Sequence, residues 1–75
     1  MLVLDVNIYP NPTTNYLFIE GNENPISISI YNLLGVEVIS TKNTDKVDVS
    51  ELHSGMYFIE INNDNEVLTR KFIKQ

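Results

Sequence analysis

Residues 26–31, ISISIY, alternate strictly, with Ile26, Ile28 and Ile30 on one side and Ser27, Ser29 and Tyr31 on the other. A period of two suits a strand with one covered face and one wet face, whereas a helix would scatter the same isoleucines around its circumference. The pattern recurs in Leu2, Leu4, Val6 and Ile8, in Leu17 and Ile19, in Val36 and Val38, in Val47 and Val49, and in Tyr57, Ile59 and Ile61. No stretch holds a 3.6-residue period over the length a helix needs. The last run, EVLTRKFIK, lacks a clean phase. Val67 and Ile73 share a face with Thr69 and Lys71, while Leu68 and Phe72 share theirs with Arg70, which predicts a bulge or a mixed edge strand.

Chain breakers fall between these runs. Pro10 and Pro12 stop the first strand, because each lacks an N–H and fixes φ, and Asn11 between them is pushed toward extended geometry. Residues 21–25 form the next connection; NLLG, residues 32–35, reads as a tight reversal with Gly35 at positive φ; NNDNE, residues 62–66, reads as the last hairpin turn. In ELHSGMYFIEI, residues 51–61, Gly55 turns the chain and Tyr57 enters the next strand facing inward. That order resembles the tyrosine corner of immunoglobulin-like domains, where a buried ring bonds its hydroxyl to nearby backbone. The expected fold is all-β: a small immunoglobulin-like β-sandwich of about seven mostly antiparallel strands, with a small closed barrel as competitor. Residues 1–75 leave room for one domain only.

Charge narrows the partners. The net charge of −5 divides into −8 over residues 1–69 and +3 over residues 70–75, where Arg70, Lys71 and Lys74 lie. An acidic body with five cations cannot line a phosphate backbone, so nucleic acid is a poor partner. The absence of cysteine excludes thiol nucleophiles, disulfides and zinc knuckles. No apolar run is long enough to span a membrane, and MLVLDV lacks the build of a signal peptide.

Catalytic equipment is sparse. His53, Ser54 and Glu51 invite comparison with a triad, but a base and nucleophile adjacent on one turn, without oxyanion donors, cannot align. Asn62, Asn63, Asp64, Asn65 and Glu66 offer oxygens without the glycine hinge and spacing of a calcium loop, so a hairpin turn is expected. Neither metal nor cofactor is expected. Tyr9, Tyr16, Phe18, Tyr31 and Phe58 lie opposite the inferred core face. They either pair across strands or form a face for a glycan or protein, as in a fibronectin-like surface binding module.

Three patterns in order, YPNPTTNYLFIE, ISIYNLLGVEV, and VDVSELHSGMYFIEI followed by VLTRKFIKQ, resemble the type A C-terminal sorting domain of the Por, or type IX, secretion system of Bacteroidota. The resemblance runs from about Val6 to Gln75. It implies a non-catalytic address label at the end of a larger exported protein, with a cargo domain preceding it in the same chain. The label would be recognised by the outer-membrane translocon and its shuttle proteins and removed by a surface sortase. The cargo would pass through the periplasm to the outer membrane, cell surface or medium. A monomer is expected.

Carried over by position, the family's Pro-x-Pro motif falls on Pro10, Asn11 and Pro12, with Asn15 where glycine is frequent. Its Gly-x-Tyr motif falls on Gly55 and Tyr57. Its basic, apolar, lysine-ended terminus falls on Lys71, Phe72, Ile73 and Lys74, with Arg70 beside them. The resemblance implies that these residues are read by the translocon. A simpler use for the terminal cations is to guard an edge strand against aggregation.

Overall fold

In a computed structural model of the chain, residues 6–21, 27–63 and 66–75 are described. Seven strands follow one another: β1 (Asn7–Tyr9), β2 (Tyr16–Glu20), β3 (Ser27–Tyr31), β4 (Glu37–Lys42), β5 (Lys46–Asp48), β6 (Gly55–Asn62) and β7 (Val67–Lys74). They form a three-stranded sheet, β1-β2-β5, and a four-stranded sheet, β4-β3-β6-β7, with every strand pairing antiparallel. The expected β-sandwich is the fold found. Its fourth strand joins the sheet of the third, making the division three on four.

Alternation builds the core. Leu17, Ile19, Val47 and Val49 from one sheet and Ile28, Ile30, Tyr57, Ile59, Ile61 and Phe72 from the other bury together with Val6. Ile8, Ile39, Leu52 and Leu68 pack around them. Leu2, Leu4 and Ile26, also expected inside, lie outside the described residues.

Two assignments of face change. Val36 and Val38 were expected inward, but both are exposed and Ile39 turns toward the core instead. For Val38 the cause is a register shift: Ile30 pairs with Ile39 while Tyr31 pairs with Glu37, so β4 carries one extra residue and its alternation inverts there, whereas Val36 precedes β4 in the reversal and bonds Asn32. Of the two alternatives expected for the last strand, a bulge or a mixed edge strand, the second is found: β7 ends its sheet. Strand β7 runs without interruption from Val67 opposite Asn62 to Lys74 opposite Gly55. Its inward phase is Leu68, Arg70, Phe72 and Lys74, and the two cations in that phase hid it from a reading by hydropathy.

Turn chemistry follows the expected breakers. Asn32 closes the β3–β4 reversal: its Oδ1 accepts from Leu34 N–H at 2.9 Å and Val36 N–H at 3.0 Å, and Gly35 sits at φ 82°. Leu33 and Leu34 stand exposed at its tip. Asn63 closes the β6–β7 hairpin through its Oδ1, which accepts Glu66 N–H at 2.8 Å. Asp64 and Asn65 of that turn lie outside the described residues.

Candidate functional site

The prolines end β1 and move the chain from one sheet to the other. Both the Tyr9–Pro10 and Asn11–Pro12 bonds are cis. Pro10 and Pro12 have no N–H to donate, so this segment cannot extend an ordinary ladder. The Asn11 side chain supplies a peptide-like donor and acceptor in their place. Its Nδ2 donates to Lys71 O at 3.3 Å, and its Oδ1 accepts from Ile73 N–H at 3.0 Å.

Thr13 continues the contact through its backbone. Its N–H donates to Ile73 O at 2.9 Å and its carbonyl accepts from Gln75 N–H at 2.8 Å, forming a parallel bridge opposite Lys74. Its hydroxyl donates to Tyr16 O at 2.5 Å and its side chain is buried. The segment from Asn11 to Thr13 thus covers the outer edge of β7 between Lys71 O and Gln75 N.

Gly55 and Tyr57 approach β7 from its other side. Tyr57 faces Phe72 in register, and the rings stack at 5.6 Å with their planes 21° apart. The Tyr57 hydroxyl donates to His53 O at 2.8 Å, four residues earlier, which is the tyrosine corner expected from the sequence. Phe72 is 1% exposed and Tyr57 8%, so the pair belongs to the core.

Gly55 faces Lys74 and has a φ of 152°, a conformation that side chains beyond glycine rarely adopt. Lys74 is 7% exposed. Its stem packs inward and its Nζ donates to the main-chain oxygen of Gln75 at 3.0 Å.

Pro10, Asn11, Pro12, Gly55, Tyr57, Lys71, Phe72, Ile73 and Lys74, spread over three parts of the sequence, therefore meet at one corner of the sandwich. Thr13 is the member that the motif reading missed, since nothing in its type distinguishes it from exposed Thr14 beside it. Tyr57, Phe72 and Lys74 are buried, leaving Asn11, both prolines, Arg70, Lys71 and Ile73 as the accessible part.

Arg70 and Lys71 project to opposite faces of the same edge strand. Lys71 ends a cross-strand row with Phe58 and Tyr31 on the outer face. Arg70 belongs to the inward phase but is exposed, its Nη1 lying 3.4 Å from Thr69 O.

Candidate chemistry elsewhere does not assemble. Glu51, His53 and Ser54 are all exposed, and the corner uses the carbonyl of His53. No group of three His, Cys, Asp or Glu side chains suited to a metal occurs among the described residues. No helix among them is long and apolar enough to cross a membrane.

On the outer face of the smaller sheet, Tyr9 stacks on Phe18 at 5.6 Å, Tyr16 leans on Phe18 at 6.3 Å, and Lys46 Nζ sits 4.4 Å from the Tyr16 ring centre. Tyr9 and Phe18 are also register partners. These rings turn their faces to one another and to a cation, which favours cross-strand packing over a glycan platform.

The family model described as a secretion system C-terminal sorting domain matches residues 7–75. No curated protein matches the chain.

Proposed function

The chain belongs to the secretion system C-terminal sorting domain family, the non-catalytic export signals of the Por, or type IX, system, and we propose that it is read at the corner just described. The terminal strand would be the element read, with the Pro10–Thr13 segment holding its outer edge and Tyr57 holding Phe72 beneath it. The observation that carries this is the convergence of the three family motifs on β7: Asn11 at Lys71 and Ile73, Tyr57 at Phe72, and Gly55 at Lys74. Accessible Arg70, Lys71 and Ile73 would meet the outer-membrane translocon or a shuttle protein. A cargo domain would precede the sandwich in the same chain, and a surface sortase would remove the sorting domain by a cut at or before the sandwich once the protein has passed from the periplasm to the surface. The domain itself would act as a monomer.

A periplasm-targeted fluorescent protein fused ahead of residues 1–75 tests this in a type IX-competent bacterium and a translocon-deficient strain. Fluorescence at the surface or in the medium is expected only in the competent strain. A folded fusion retained in the periplasm of both strains would overturn the reading.

A further inference from the structure

We propose that the uncovered half of the β7 edge is a pairing site for an extended, acidic segment of the export machinery. The inference rests on the sorting function above and specifies how the strand is read.

Backbone geometry defines the site. In an antiparallel strand, the N–H and C=O of one residue point to the same side and successive residues alternate. Lys71 O, Ile73 N and O, and Gln75 N all point away from β6, to Asn11 and Thr13. By that alternation Val67 and Thr69 point to the same outer edge. No partner strand lies there among the described residues, since β7 ends its sheet and its one outer bridge is Thr13 with Lys74.

Among the described residues four groups are therefore open: the N–H and C=O of Val67, and the N–H of Thr69 and of Lys71. The C=O of Thr69 accepts a long, exposed bond of 3.4 Å from the Arg70 guanidinium, which leaves its second lone pair for an incoming donor. From Val67 to Lys71 the edge is about 13 Å long, enough for a partner strand of about five residues.

Charge identifies the occupant. Ten acids outnumber five bases in this chain, yet no carboxylate is bonded to Arg70 or Lys71 among the described residues. The two cations flank the open edge, one on each face. A strand laid beside them with carboxylates at neighbouring positions would satisfy both faces as well as the backbone. A second copy of the chain fits poorly. Antiparallel pairing about Thr69 would set Lys71 against exposed Val67 and bring four cations around the pairing centre, with Glu66 of each copy the carboxylate in reach, diagonal to Arg70.

Proline substitution distinguishes edge pairing from a general need for the corner. Thr69→Pro and Val67→Pro each remove an outward N–H and block a neighbouring strand while sparing the β6 ladder. Ser40→Pro does the same on the opposite edge of this sheet, because Asn32 N–H bonded to Val36 O sets Ile30 and Ile39 toward each other and Ser40 outward. Each variant is carried in the fluorescent fusion, with its melting curve recorded.

The expected result is parental export for Ser40→Pro and a loss of about tenfold or more for both edge variants at unchanged melting temperature. The Arg70→Glu, Lys71→Glu pair is expected to lose export similarly, by repelling an acidic partner. Should Thr69→Pro fail to fold, Val67→Pro at the strand start and the charge reversal decide. Parental export from folded edge variants would overturn edge pairing and leave the sorting function standing, and parental export after charge reversal would overturn an acidic partner. A dimer of the isolated chain that Thr69→Pro dissolves would make the occupant a second copy and overturn the proposal. Translocon-independent behaviour of the parent fusion would overturn both readings.

Discussion

Asn11 and Ile73, 62 positions apart, are joined by a 3.0 Å hydrogen bond from the Ile73 N–H to the Asn11 side-chain oxygen. With the bond from Asn11 Nδ2 to Lys71 O, one amide side chain caps two main-chain groups of an edge strand. Asn11→Ala removes both. Because the site is exposed, water replaces part of the loss, and the expected cost is about 1 kcal/mol. The Ile73 amide should exchange with solvent faster in the variant while Ile59 at the centre of β6 keeps its protection relative to global unfolding. Hydrogen exchange followed by NMR reads both.

Tyr57→Phe keeps the ring on Phe72 and deletes the hydroxyl that bonds His53 O. The carbonyl is left without its donor in a part-buried setting, at a cost of about 1–2 kcal/mol. For a domain of this size each kcal/mol lowers the melting temperature by about 4–8 °C. His53→Ala retains the carbonyl and should melt with the parent. Thermal unfolding of the two variants separates a backbone role for His53 from a side-chain role.

Phe72→Ala empties a buried position between the sheets and is expected to cost about 3–5 kcal/mol. A domain of 75 residues has about 4–11 kcal/mol in total, so the variant is expected to lose a large fraction of its stability. Urea titration monitored by circular dichroism measures the loss. The same reasoning bears on truncation: deleting residues 70–75 removes Phe72 and the partners of Asn11 and Thr13, so lost export would report lost folding. Substitutions at exposed positions are the informative ones.

Asp48 closes a small turn, its Oδ1 accepting from Ser50 N–H at 2.9 Å and from Ser50 Oγ at 2.6 Å. The Ser50 hydroxyl first and its backbone N–H next hold this carboxyl below the ordinary aspartate value, with Lys46 helping and slight desolvation opposing. A carboxyl depressed in the folded state stabilises it fully above the unfolded value of about 3.9 and ceases to do so as pH falls through the folded value. The melting difference between the parent and Asp48→Asn should therefore shrink as pH falls from 7 toward 3. Carboxyl titration by NMR should place Asp48 below a solvent-exposed aspartate.

Alternation made the sandwich legible in the sequence wherever the inward side chains are apolar, as in Ile28 and Ile30 or Tyr57, Ile59 and Ile61. It misled where physical chemistry separates phase from hydropathy. The extra residue in β4 displaced Val38, a change set by pairing with β3 and absent from local composition, and Val36 fell in the reversal before the strand. In β7 the inward row includes Arg70 and Lys74, and a buried lysine opposite glycine looks polar in any sequence window. The motif residues of the corner were visible from the sequence, but their convergence was not. It depends on a side-chain amide and a parallel bridge joining the two ends of the chain.

The central claim is that the corner at which Pro10–Thr13 meets β7 is the part of this sorting domain that is read. Its most direct measurement is translocon-dependent export of the fluorescent fusion with two sets of exposed substitutions, each verified as folded. One set, Asn11→Ala, Lys71→Ser and Ile73→Ser, changes the corner; the other, Ser27→Ala and Lys42→Ser, changes the opposite end of the same sheet, where these two exposed residues pair. The account predicts that the corner set loses export and the far-end set retains it. Equal export from the two sets, or loss confined to the far-end set, would contradict it.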